Sequence, residues 1–137
     1  MNAMSKLKEQ HKEILSIGGR ISDGADTTLN VKIAMTILEL IKELGELLEE
    51  HLLIEDDFLY PALKKRSQEN IRDIAHQFSI ELGGIKEAFF NYSTKWTSPE
   101  KIIQSQMEFT SESKALVGAL QNRIVKEDKE LFPLYKS

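Results

Sequence analysis

Four stretches of this chain repeat apolar residues at steps of four and three, and none shows the alternation of a half-buried strand. The first stripe runs Leu7, His11, Ile14, Gly18, Ile21, and the second Ile37, Ile41, Leu44, Leu48, His51, Glu55, Phe58. The third runs Ile71, Ala75, Phe78, Leu82, Ile85, Phe89, Tyr92, Trp96. The fourth runs Ile102, Gln106, Phe109, Ser113, Leu116, Leu120, Arg123, Glu127, Leu131. Such steps return to one face of an α-helix, which turns about 100° per residue. Polar breaks separate the stripes at Ser22-Asp23-Gly24, at Ser67-Gln68-Glu69-Asn70 and from Ser93 to Pro99. Ser98-Pro99 has the form of an N-cap followed by proline in the first helical turn. Four amphipathic helices on short connections bury their stripes against one another, so the chain is expected to be all-α, an antiparallel up-down four-helix bundle. The second helix is long, roughly 35 residues by its pattern, and Pro61 in its last turns should kink or end it. Gly83-Gly84 lies inside the third helix and is expected to permit close helix packing.

At 137 residues the chain has the size of one domain, taken as 1–137. No apolar run approaches the roughly 18–20 residues that span a bilayer, so no membrane partner is expected. Acidic residues outnumber basic ones, 22 to 18, and Lys and Arg are scattered among them, which argues against a nucleic-acid partner. The absence of cysteine excludes disulfides, thiolate nucleophiles, iron–sulfur clusters and Cys-bound zinc. Met1 to Lys6 leads into a charged amphipathic stretch with no apolar signal core, from which a cytoplasmic location is expected. His-Glu-x-x-His and P-loop patterns are missing, and Asp73-x-x-His76 is a weak single variant of the Glu-x-x-His used by ferritin-like bundles. Phe89, Tyr92 and Trp96 are expected in the core, and Lys64-Lys65-Arg66 at a solvated helix end.

The informative residues are those that interrupt the stripes. Burying a lone charged group costs several kcal/mol unless it is paired or binds a metal, yet His11, His51, Glu55, Arg123 and Glu127 all hold stripe positions. His51 and Glu55 are four apart, so their side chains leave one helix face a turn apart, a spacing that suits shared coordination of a metal. A second signal is internal: His51 to Pro61 matches Arg123 to Pro133, with Glu-Asp, leucine and proline coinciding and the apolar positions agreeing in kind. A repeat on the second and fourth helices implies two parallel helices, each presenting a carboxylate to a shared centre. Two such carboxylates can bridge a pair of metal ions.

With a histidine on the first helix, His51-x-x-x-Glu55-Asp56-x-x-Leu59-Tyr60-Pro61 on the second and Glu127-Asp128-x-x-Leu131-Phe132-Pro133 on the fourth, the chain resembles the hemerythrin-like (HHE cation-binding) family along its whole length. The resemblance implies an up-down bundle with a non-haem di-iron centre held by five histidines and two bridging carboxylates. It also implies binding or sensing of dioxygen, nitric oxide or iron, or protection of iron centres. By resemblance, His11 and His51 would ligate one iron, and Glu55 and Glu127 would bridge two. Carboxylate and imidazole donors also suit zinc or manganese.

The chain departs from the family's pattern where Arg123 replaces a histidine and where the third helix lacks a His-x-x-x-His pair. Chain position favours His76 as a third-helix ligand, but it lies roughly 140° from that helix's stripe. Glu81 lies nearer the stripe, so either residue is a candidate. One metal position is therefore well furnished and the other depleted. Arg123 would either pair with an inward glutamate and repel a dication, or reach outward along its stem and leave Glu127 free. The expected function is binding of one or two iron ions, or zinc or manganese, for gas or redox sensing or iron handling. The alternative is a metal-free regulatory or interaction module in which Arg123 pairs with the inward glutamates. A third, weaker reading is a metal-dependent oxidase or peroxidase.

Overall fold

In the computed structural model, which describes residues 2–136, the chain is helical nearly throughout, and no strand occurs among the described residues. Helix α1 spans Ala3–Ala25 and α2 spans Val31–Ile54; a π-helical turn, Glu55–Leu59, joins α2 to the short α3, Tyr60–Lys64. Helix α4 spans Glu69–Lys95, α5 spans Pro99–Gln104 and α6 spans Gln106–Lys126; a second π turn, Glu127–Leu131, leads into a 3-10 turn, Phe132–Lys136. Side-chain caps begin three of these helices. Asn2 accepts from the Ser5 N–H (2.8 Å) and Asn30 from the Ile33 N–H (2.9 Å), each worth about 1 kcal/mol. Ser98 accepts from the Lys101 N–H (3.2 Å), with Pro99 in the first turn as the sequence suggests.

Helix α1 packs on α2 and α6, and α4 packs on α3 and α6, which closes the antiparallel bundle. Most stripe residues are buried, His11, His51, Glu55, Arg123 and Glu127 included, while Ile85, Phe89 and Gln106 are half-buried. Phe58 is half-buried as well, beside Tyr135, and Leu59 and Tyr60 take the core positions instead. The π turn explains the shift, because one extra residue in the turn carries Phe58 out of the stripe and brings the next two in. Pro61 does not end the helix. The Tyr60 N–H reaches back five residues to the Glu55 carbonyl, and the proline that follows has no N–H to contribute as the ladder returns to α spacing.

The fourth stripe is divided rather than continuous. Ser105, at φ −124° and ψ 46°, leaves the helical region. Helix α5 is held on α2, with Ile102 fully buried, while the Thr110 hydroxyl of α6 donates to the Ala25 carbonyl at the end of α1 (2.7 Å). Ser105 takes the change of direction between those anchors. Gly83 and Gly84 are exposed, with nothing near where a side chain would grow, so they do not mediate close packing. The close approaches are at Gly45 and Gly24, where a Cβ would stand 3.1 Å from the Phe89 ring and 3.2 Å from Ile37. Trp96 lies in the core, its edge against Phe109 and its indole N–H donating to Glu112 (3.1 Å).

The apolar interior falls into two clusters. The larger runs from Ile14 through Leu48, Tyr92 and Leu120 to Ile124. The smaller joins Met4, Leu7, Leu59, Tyr60, Phe78, Leu82, Leu131 and Phe132. The stripe-breaking polar residues lie along the chain between the two sets, as a belt across the bundle. No helix among the described residues is long and apolar enough to cross a membrane.

Candidate metal centre

His51 and Glu55 leave the inner face of α2 one turn apart, Arg123 and Glu127 do the same at the end of α6, and His11 meets them from α1. Each glutamate opens a π turn, so both halves of the internal repeat use the same local distortion at the same residue. Widened turns of this kind recur at functional sites because they re-aim side chains without breaking a helix. His11, His51, Glu55 and Glu127 each offer a donor atom, all within 4.8 Å of one another, and all four are buried.

The two imidazoles are oriented from behind. His51 Nδ1 donates to the Gln10 side-chain oxygen (2.9 Å), and His11 Nδ1 lies 2.8 Å from Asp128 Oδ1. An oxygen acceptor at Nδ1 selects the tautomer whose Nε2 carries a free lone pair, the form that coordinates metals. Both Nε2 atoms point inward: His11 Nε2 is 2.8 Å from Glu127 Oε1, and His51 Nε2 is 3.7 Å from the same oxygen and 3.5 Å from Glu55 Oε2. His11 also stacks on Phe132, ring centres 4.7 Å apart.

The carboxylates differ in support. Glu127 sets one oxygen 2.8 Å from His11 Nε2 and accepts from Arg123 Nε (2.8 Å) on the other. Burial alone would raise its pKa, but His11, His51 and the Arg123 charge hold it well below the usual carboxylate range. Glu55 is 0% exposed, and no hydrogen-bond donor reaches either of its oxygens. Burial pushes it up to about 7 despite the pull of His51. His51 shifts the opposite way from a buried base left alone: burial lowers it, and Glu127 and Glu55 together outweigh that and raise it to about 9.

An ion answers what Glu55 lacks. A buried carboxylate without donors is costly and calls for a positive partner. The donor separations run from 2.8 Å between His11 Nε2 and Glu127 Oε1 to 3.5 and 3.7 Å around His51, close enough for one ion to be shared. Two neutral imidazoles and two carboxylates suit zinc, iron and manganese, not calcium or magnesium, which take oxygen alone.

Of the six residues singled out in the sequence, the structure brings together four and leaves two apart. His76 is on the exposed side of α4. Glu81 is half-exposed, accepts from Gln77 and Lys126 at 3.2 Å each, and stands 3.7 Å from Arg123 Nη1. Arg123 turns inward onto Glu127 rather than outward. Sequence reasoning did not single out Gln10, Tyr60, Asp128 or the Phe78 carbonyl as part of the centre. Tyr60 and Asp128 lie inside the repeat and were visible there; Gln10 had no signal beyond adjacency to His11. The repeat is not symmetric in use: Asp56, the counterpart of Asp128, pairs with Lys86 on the surface (2.9 Å).

The family model described as Hemerythrin HHE cation binding domain matches residues 2–135. No curated protein and no solved structure matches the chain.

Proposed function

The chain belongs to the hemerythrin HHE cation-binding domain family, and from that premise we propose that it binds non-haem iron through His11, His51, Glu55 and Glu127 and serves gas or redox sensing or iron handling. Zinc and manganese are the competing ions for the same donors. The observation that carries this reading is Glu55, fully buried beside three other donors with both oxygens unpartnered. Bound iron would supply a one-electron redox change and an affinity for dioxygen or nitric oxide, which these side chains lack. The chain's own residues do the rest. His11 and His51 offer Nε2, Asp128 and Gln10 hold the rings in the coordinating tautomer, and Glu55 and Glu127 supply two negative charges against a dication. The apolar clusters on either side keep bulk water out. The reading takes residues 1–137 as one cytoplasmic domain.

The test is metal analysis of the purified chain after anaerobic reconstitution with ferrous iron. Uptake by the wild type, and at least 100-fold weaker uptake by His51→Ala with the fold intact, is the expected result. Equal uptake by the variant would remove His51 from the ligand set. The second reading, a metal-free interaction module, draws on the Arg123–Glu127 pair, but it leaves Glu55 with no hydrogen bond and only His51 Nε2 at 3.5 Å. Failure of the wild type to take up iron, zinc or manganese would favour it.

A further inference from the structure

Glu55 and Glu127 have four oxygens between them, enough to serve two cations, and the side chains around Glu127 decide how many are served. We infer that the Arg123 guanidinium is a permanent second cation of the centre and limits it to one metal ion per chain, an inference that rests on the cation-binding reading above. Arg123 is nine-tenths buried and sits in a socket of oxygens. Its Nε donates to Glu127 Oε2 (2.8 Å), and its Nη2 to the Tyr60 hydroxyl (2.7 Å) and the Phe78 carbonyl (3.0 Å). Glu81 Oε2 lies 3.7 Å from Nη1. The ring of Phe78 covers the guanidinium carbon at 4.8 Å.

Those oxygens come from α3, α4 and the second π turn, so the socket is fixed by packing independently of the arginine. Glu127 is thereby divided: Oε1 faces the imidazoles and Oε2 is committed to Arg123. A second ion would have to displace a charge that does not deprotonate and is held by three hydrogen bonds. On the α4 side it would meet Leu82 and Ile85, which offer no side-chain donor, and Glu81, whose carboxylate is already held by Gln77 and Lys126. A lysine would preserve the charge, whereas a histidine would remove it and release Tyr60, the Phe78 carbonyl and Glu127 Oε2 as oxygen donors.

Zinc, which is redox-inert, is the probe. The chain is titrated with zinc at pH 8, and bound metal is counted by mass spectrometry of the native protein and by elemental analysis, with circular dichroism confirming the fold. The expected result is one zinc per chain for the wild type and for Arg123→Lys, and two for Arg123→His. Two zinc ions on the wild type, or one on a folded Arg123→His, would overturn the inference while leaving the cation-binding reading standing. No zinc on the wild type would overturn the inference, and the cation-binding reading would fall with it only if the iron reconstitution also gave no uptake. If Arg123→His does not fold, two zinc ions on the wild type still overturn the inference, and a second ion gained by Arg123→Gln supports it, whereas one ion on that folded variant overturns it.

Discussion

A carboxylate out of water with no donor in reach is the most demanding group in this molecule, and His51 beside it is its counterpart. In the metal-free chain the two share a preference for protons, and this fixes the sign of the pH dependence. His51 rises from 6.5 to about 9, so its contribution to stability is complete below pH 6.5 and lost as pH climbs through 9. Glu55 rises from 4.5 to about 7 and acts in the same sense, complete below pH 4.5 and lost through 7. Glu127, held low, acts oppositely: its contribution is present above pH 4.5 and lost in acid. In chelator the chain should therefore melt at progressively lower temperature from about pH 5 to pH 9. Zinc should bind more tightly across the same window, because the protons must leave first. A melting temperature flat across that window would contradict the assignment. His11, His51, Glu55 and Glu127 were legible in the sequence because polar residues on an apolar stripe demand an explanation. Gln10 was not, since a polar residue beside a stripe is ordinarily on the surface. Asp128 was visible as part of the repeat, but its contact with His11, 117 positions away, depends on how the helices pack.

At the scale of elements, the paired π turns are what sequence periodicity alone misplaces. Steps of three and four carried past Glu55 select Phe58, whereas the chain uses one more residue and buries Leu59, Tyr60 and Leu63. Proline was the visible trace: Pro61 and Pro133 each follow the residue that closes a five-step hydrogen bond to a motif glutamate. Deleting the exposed Asp57 should convert the first π turn to α spacing with the core register kept. Pro61 would then stand in an ordinary α ladder, at a cost of about 3 kcal/mol. Adding Pro61→Ala to the deletion should restore most of that loss in urea denaturation. An equal effect of Pro61→Ala in both backgrounds would show that the proline and the widened turn are unrelated. The bend at Ser105 was equally invisible, because it answers anchors on α1 and α2 rather than any local breaker.

For the whole molecule, the four stripes and their short connections were enough to read an up-down bundle, since short connections make successive helices antiparallel neighbours. The split into two apolar clusters was not readable, because it depends on which side chains meet across helices. A cation seated between them would join α1, α2 and the second π turn. At a free concentration 100-fold above Kd it should stabilise the folded state by about 2.7 kcal/mol. The thermal midpoint should accordingly rise on adding zinc and fall again with chelator, whereas an unchanged midpoint would argue against binding to the folded state. The partners at the centre are far apart in sequence, His11 and Glu127 being separated by 116 positions. A nascent chain on the ribosome therefore cannot present the full donor set until its last helix has been synthesised. A cation held by all four donors could therefore be collected only after the last helix has been made.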